Sequence, residues 1–112
     1  MIDARRMEVY CAVYDEHLNE VEKISAKVMD ENSFSHLLKE KKIYFFGDGA
    51  DKCKPLLSED SHAVFIDHIF ATSSSMIALA EKKFQQKEFE DVGLFEPFYL
   101  KEFYDSKKKS TE

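Results

Sequence analysis

Ile2-Asp3-Ala4-Arg5-Arg6-Met7-Glu8-Val9-Tyr10-Cys11-Ala12-Val13-Tyr14 is the stretch that decides how the chain is read. On an extended backbone Val9, Cys11 and Val13 fall on one side, and Tyr10, Ala12 and Tyr14 on the other. A strand apolar on both sides belongs inside a covered sheet, with neighbours on both edges. Asp3-Ala4-Arg5-Arg6 reads as the turn that joins it to a preceding strand, of which Met1-Ile2-Asp3 is the part present. We therefore read the chain as the C-terminal part of a larger protein, beginning inside a hairpin.

Further along, Asp15-Glu16-His17-Leu18-Asn19 is a polar turn. From Glu20 to Val28, Ile24, Ala26 and Val28 alternate with Ser25 and Lys27, which predicts a second strand with one wet face, antiparallel to the first. Ser33 is placed to cap a short helix through Phe34, Leu37 and Leu38. Ile43-Tyr44-Phe45-Phe46 and Ala63-Val64-Phe65-Ile66 are continuous apolar runs, the pattern of strands buried on both faces. Between them Gly47-Asp48-Gly49 breaks the first run, and a helix follows from Ala50 to Leu57, shortened by Pro55. Thr72-Ser73-Ser74-Ser75 offers caps for the longest helix, in which Met76, Leu79, Ala80 and Phe84 recur at helical spacing up to about Phe89. Leu94-Phe95-Glu96-Pro97-Phe98-Tyr99-Leu100 is extended and aromatic, and Pro97 makes it an edge strand or an apolar strap.

The expected architecture is thus an antiparallel ladder followed by helix–strand–helix–strand–helix, with the strands containing Val9, Phe45 and Phe65 as neighbours in one mixed sheet. With a first strand restored this is the ribonuclease-H-like α/β order, found in each half of the actin-like ATPase superfamily. The domain runs over residues 1–104, with a solvated tail at 105–112.

At 112 residues, 44% hydrophobic and with ten Phe and five Tyr, the chain holds material for one core and not two. A net charge of −6 argues against a general nucleic-acid surface, which needs clustered Lys and Arg. Cys11 and Cys53 are too few for a disulfide framework and read as buried thiols of a reducing, cytoplasmic compartment. No apolar run approaches the ~20 residues of a membrane span.

Three segments together resemble the TsaB (YeaZ) family, and specifically its C-terminal half: Ile2-Asp3-Ala4-Arg5-Arg6-Met7-Glu8-Val9-Tyr10, Phe46-Gly47-Asp48-Gly49-Ala50, and Phe95-Glu96-Pro97-Phe98-Tyr99-Leu100-Lys101. The resemblance implies a glycoprotease-like fold of the actin-like superfamily and a non-catalytic scaffold role in forming threonylcarbamoyladenosine at position 37 of tRNA. It implies TsaD-type and TsaE-type partners, tRNA engaged indirectly, and no cofactor of its own. The family's N-terminal half, which carries most of the TsaD contact, is not matched. An uncovered sheet edge further predicts a homodimer.

Candidate sites follow from the same segments. Glycines at Gly47 and Gly49 let a ligand approach backbone ahead of a helix, and in actin-like kinases the corresponding turn holds adenosine; a plain strand-to-helix turn is the other reading. Asp3 and Asp48 would suit a two-metal nuclease only with a third acid, and Glu40 sits at the far end of its helix. Neither the spacing of His17, His36, His62 and His68 nor Ser73-Ser74-Ser75 forms a zinc or nucleophile motif, so we assign no catalytic or metal residue. Arg5 and Arg6, with Phe98 and Tyr99, are the candidate partner contacts; a solvated turn paired with Glu8 is the alternative for the arginines. The competing functions are a nucleotide-binding module and a hydrolase of nuclease or peptidase type.

Overall fold

A computed structural model describes residues 1–102. The predicted tail at 105–112 lies outside the described residues. The chain is mixed α/β, with one antiparallel and one parallel sheet.

The antiparallel sheet has the order β1-β2-β3, from Ile2–Asp3, Glu8–Tyr14 and Glu20–Val28. The β2–β3 hairpin forms as expected about the Asp15–Asn19 turn, but the faces of β3 are inverted: Ser25 and Lys27 stand opposite Cys11 and Val9 on the core side, while Ile24 and Val28 are exposed, because pairing with the buried side of β2 sets which face turns inward. Asp15 closes its own turn, accepting from the amides of His17 and Asn19 at 2.9 and 2.8 Å. Two register irregularities, after Cys11 and after Val13, place their extra residues on β3. The parallel sheet pairs β4 (Ile43–Phe45) with β5 (Ala63–Phe65), Phe45 opposite Phe65.

Two helical pieces lie between these elements. The helix α1 (Ser35–Leu38) precedes β4, and a 3₁₀ turn at Asp51–Cys53 runs into α2 (Lys54–Leu57) ahead of β5. Pro55 stands in the first turn of α2, where its missing N–H costs no hydrogen bond. Ser33 does not cap α1. Its hydroxyl accepts from the Asp30 amide at 2.9 Å, and Phe34 occupies the cap position with φ 61°, which drives its ring into the core.

That core joins Val9 and Cys11 of β2 to Met29, Phe34, Leu38, Phe45, Ala50, Cys53 and Leu57. The Phe45 ring lies between two others, tilted against Phe34 with centroids 5.7 Å apart and stacked on Phe65 at 5.1 Å. The Lys27 ammonium sits 4.1 Å over the Phe34 ring, so a charged residue on the inner face of β3 still covers apolar surface.

Two expectations are corrected here. The strands containing Val9, Phe45 and Phe65 do form, but they do not share one hydrogen-bonded sheet: β2 lies between β1 and β3, and β4 pairs only with β5. The physical reason is that Met1 meets the Phe46 carbonyl and then the Gly49 amide, past the end of β4, so its bonds make no ladder on that strand. Nor are these strands covered on both faces. The outer face leaves Tyr10 and Ala12 half-buried and Tyr44, Phe46 and Ile66 exposed.

The longest helix, α3 (Ile77–Gln85), follows a 3₁₀ turn at Ser73–Met76 and has no side-chain cap. It is shorter than expected and ends before Phe89, whose ring meets Phe84 edge-on at 5.7 Å. Its apolar positions stay exposed. The Leu94 to Leu100 segment forms no strand. It is a strap, exposed until Leu100, fastened where Lys101 Nζ meets Glu8 Oε2 at 2.5 Å.

Candidate functional site

The sequence-flagged residues converge where the β1–β2 hairpin meets the Gly47-Asp48-Gly49 turn. Met1 and Ile2 run through that turn. The Met1 amine donates to the Phe46 carbonyl at 2.8 Å, and the Gly49 amide donates to the Met1 carbonyl at 3.3 Å. Gly47 has φ +101°, and a Cβ there would stand 2.0 Å from the Met1 oxygen; a Cβ on Gly49 would stand 2.8 Å from the Ile2 carbonyl carbon. Both glycines are therefore required by close approach of the chain's own backbone.

Asp48 lies beside Asp3, as the two-carboxylate idea required, but each is engaged otherwise. Asp48 Oδ1 accepts from the Asp3 amide at 2.9 Å, and Asp3 Oδ1 accepts from the Arg5 amide at 2.8 Å and from Lys52 Nζ at 2.5 Å. The Lys52 hydrogen bond, then the Arg5 amide, hold the Asp3 carboxyl below its usual range. Among the described residues no group of three or more His, Cys, Asp or Glu side chains is placed to hold a metal, and Glu40 does not join the aspartates.

Lys52 organises the site, and sequence reasoning missed it. Besides Asp3, its ammonium donates to the carbonyls of Arg6 at 2.7 Å and Glu8 at 2.6 Å. These bonds brace a turn in which Arg5 and Arg6 both adopt left-handed backbone, φ 75° and 48°. Such a conformation costs a non-glycine residue ~1–2 kcal/mol, so the turn needs outside support. The result is a braced hairpin tip whose two arginines are exposed. Glu8 pairs with Lys101 and not with them. That pair ties the strap to the same hairpin, with Phe98 and Tyr99, each 79% exposed, just before the anchor.

His36, His62 and the Ser74 and Ser75 hydroxyls have partners of their own. His36 Nε2 meets Glu22 Oε1 at 2.7 Å, and His62 Nδ1 meets the Leu38 carbonyl at 2.6 Å. Thr72 Oγ1 joins the Ser74 and Ser75 hydroxyls at 2.9 Å each. Cys11 and Cys53 are free and buried; burial pushes both thiols up, leaving them protonated and poorly nucleophilic at neutral pH. No helix among the described residues is long and apolar enough to cross a membrane.

The chain matches no protein-family model, no curated protein and no solved structure.

Proposed function

We propose that the chain is a ribonuclease-H-like half-unit of the actin-like superfamily. Within that class we read it as the C-terminal half of a TsaB-type scaffold for tRNA threonylcarbamoyladenosine formation, partnered by TsaD-type and TsaE-type proteins. The observation that carries the fold reading is the main chain of Met1. Its donor goes to the Phe46 carbonyl and its acceptor receives the Gly49 amide, which sets the start of the hairpin beside the end of β4 and supports a neighbour there, though not in ladder register. The two sheets stay separate, but joining them at that edge would give the order β3-β2-β1-β4-β5 with β2 alone reversed, the ribonuclease-H-like order, and this is what supports the reading. The family reading rests on the three resembling segments, two of which form the braced arginine turn and the glycine turn against it. That the chain's own Met1 and Ile2 fill the glycine turn supports a scaffold over a nucleotide module. The exposed outer sheet face supports self-association, which sedimentation at low micromolar concentration tests.

The functional test joins this chain to the N-terminal half of a TsaB-family protein and supplies the partner proteins, tRNA, threonine, bicarbonate and ATP. Mass spectrometry of tRNA nucleosides should detect threonylcarbamoyladenosine, and Arg5→Glu with Arg6→Glu should lower it. A folded chimera that yields none would overturn the reading.

A further inference from the structure

The β1–β2 hairpin ends in a tip that is strained by the residues it uses. Arg5 and Arg6 both take left-handed backbone, φ 75° and 48°. Glycine or asparagine adopts that conformation with little strain, and two-residue hairpin turns ordinarily use them. Here the strain is held by groups outside the turn. Lys52 Nζ donates to the carbonyls of Arg6 and Glu8 and to the Asp3 carboxylate, which in turn accepts from the Arg5 amide. A strained conformation that its surroundings over-determine is characteristic of functional sites. What this one fixes is the direction in which two arginine side chains leave the backbone.

Both arginines are exposed, and the carboxylates that flank them in sequence are already engaged: Asp3 is paired with Lys52, and Glu8 with Lys101. Among the described residues neither guanidinium makes an ion pair, and the amides of Arg6 and Met7 donate to no protein group. The Lys101–Glu8 pair also brings the strap to this hairpin, with Phe98 and Tyr99 exposed just ahead of the anchor. Unpaired guanidiniums beside exposed aromatic rings are the composition found at the energetic centre of protein–protein interfaces. A nucleic-acid strand is less well served. Its phosphates follow one another closely and need a row of cations, whereas Lys52 and Lys101 are spent on carboxylates and the chain carries a net charge of −6.

We infer that the arginine tip is a docking surface for another protein, which it reads through an exposed acidic segment. A carboxylate takes two parallel N–H bonds from one guanidinium, so Arg5 and Arg6 can each hold one acid of that segment. Apolar residues next to the acids lie on Phe98 and Tyr99. Because Lys52 sets the turn before a partner arrives, little ordering is left for the binding step. The inference concerns the partner surface of the scaffold proposed above, but it rests on the geometry of the tip and not on the family.

The test titrates the whole chain with the peptide acetyl-Asp-Leu-Glu-Tyr-Asp-amide, followed by NMR. Saturable shifts are expected at the Nε–H signals of Arg5 and Arg6, the amides of Arg6 and Met7, and the rings of Phe98 and Tyr99, with a Kd below about 1 mM. Arg5→Lys with Arg6→Lys keeps both charges but removes the fork, and should weaken binding about tenfold. Lys52→Met leaves the arginines in place but frees the turn, and should weaken binding about threefold; should that variant not fold, the double lysine variant still decides. An unchanged Kd in the double lysine variant, or no saturable shift in the unaltered chain, would overturn the inference. Tighter binding of a ten-uridine RNA at the same signals would assign the tip to nucleic acid and overturn it too. So would shifts there that grow with protein concentration alone, which would assign the tip to a second copy.

Discussion

Val9 and Ile77 are both aliphatic residues in regular structure, yet Val9 is fully buried and Ile77 is 68% exposed. The same contrast separates Phe45, at 4%, from Phe84, at 64%. Residues 1–66 close a core because both sheets and the helical pieces between them turn apolar side chains onto it. In residues 67–99 the apolar side chains are as large, but α3 meets the turn that precedes it and Phe89 beyond it, and its apolar side chains stay exposed. Hydrophobicity alone therefore does not bury a residue; it needs an opposing surface within reach of the connection. Burial removes roughly 25 cal/mol per Å² of apolar area from water, so the stability of the chain resides in the first region.

Truncations should expose that difference most strongly. Phe45→Ala should cost about 3–5 kcal/mol in urea unfolding, because it removes the central ring of the Phe34–Phe45–Phe65 cluster. Phe84→Ala should change the free energy of unfolding by no more than about 0.5 kcal/mol, as expected for an exposed position. Equal losses at the two sites would break the comparison.

The hinge between β1 and the body gives the next effects. Gly47→Ala meets both a positive φ and the Met1 carbonyl and should cost about 2–3 kcal/mol, with β1 detached in amide-exchange spectra. Lys52→Met keeps the stem and removes the ammonium from the Asp3 carboxylate and the Arg6 and Glu8 carbonyls. Loss of a charged donor there should cost about 1.5–3 kcal/mol and loosen the arginine turn, seen as faster exchange at Glu8 and Ala4.

The smallest effect is a pH dependence. The folded Asp3 carboxyl titrates below its ordinary value, so its contribution is present above that value and fades as the pH falls through the lowered one. Stability of the hairpin should decline in strongly acid solution, and Asp3→Asn should flatten that decline. A decline of the same size in the variant would remove Asp3 from the account.

Legibility in the sequence tracks the range of the forces. The β2–β3 hairpin is legible because the Asp15 turn and the extended pattern are local signals, but the side that β3 turns inward is not, since pairing with β2 puts Ser25 and Lys27 there. Nor is the cap of α1: Ser33 has the right chemistry, but the core takes the Phe34 ring and bends the backbone to φ 61°. The single mixed sheet was over-read, since two-sided apolarity in β2 and β4 says what could be covered and not what covers it. For the candidate site, the sequence marked Asp3, Arg5, Arg6 and the glycine turn, and they do meet. Lys52 carries no signal, because its acceptors lie more than forty positions earlier in the chain.

Amide hydrogen exchange across the whole chain tests the central division most directly. Val9, Cys11 and Phe45, inside the core and on paired edges, should exchange only with global unfolding. The amides of Ala80 to Phe84, in a nine-residue helix with no buried residue among those described, should exchange many orders faster. Protection in α3 equal to that of Val9 would contradict the account and show that its apolar side is covered.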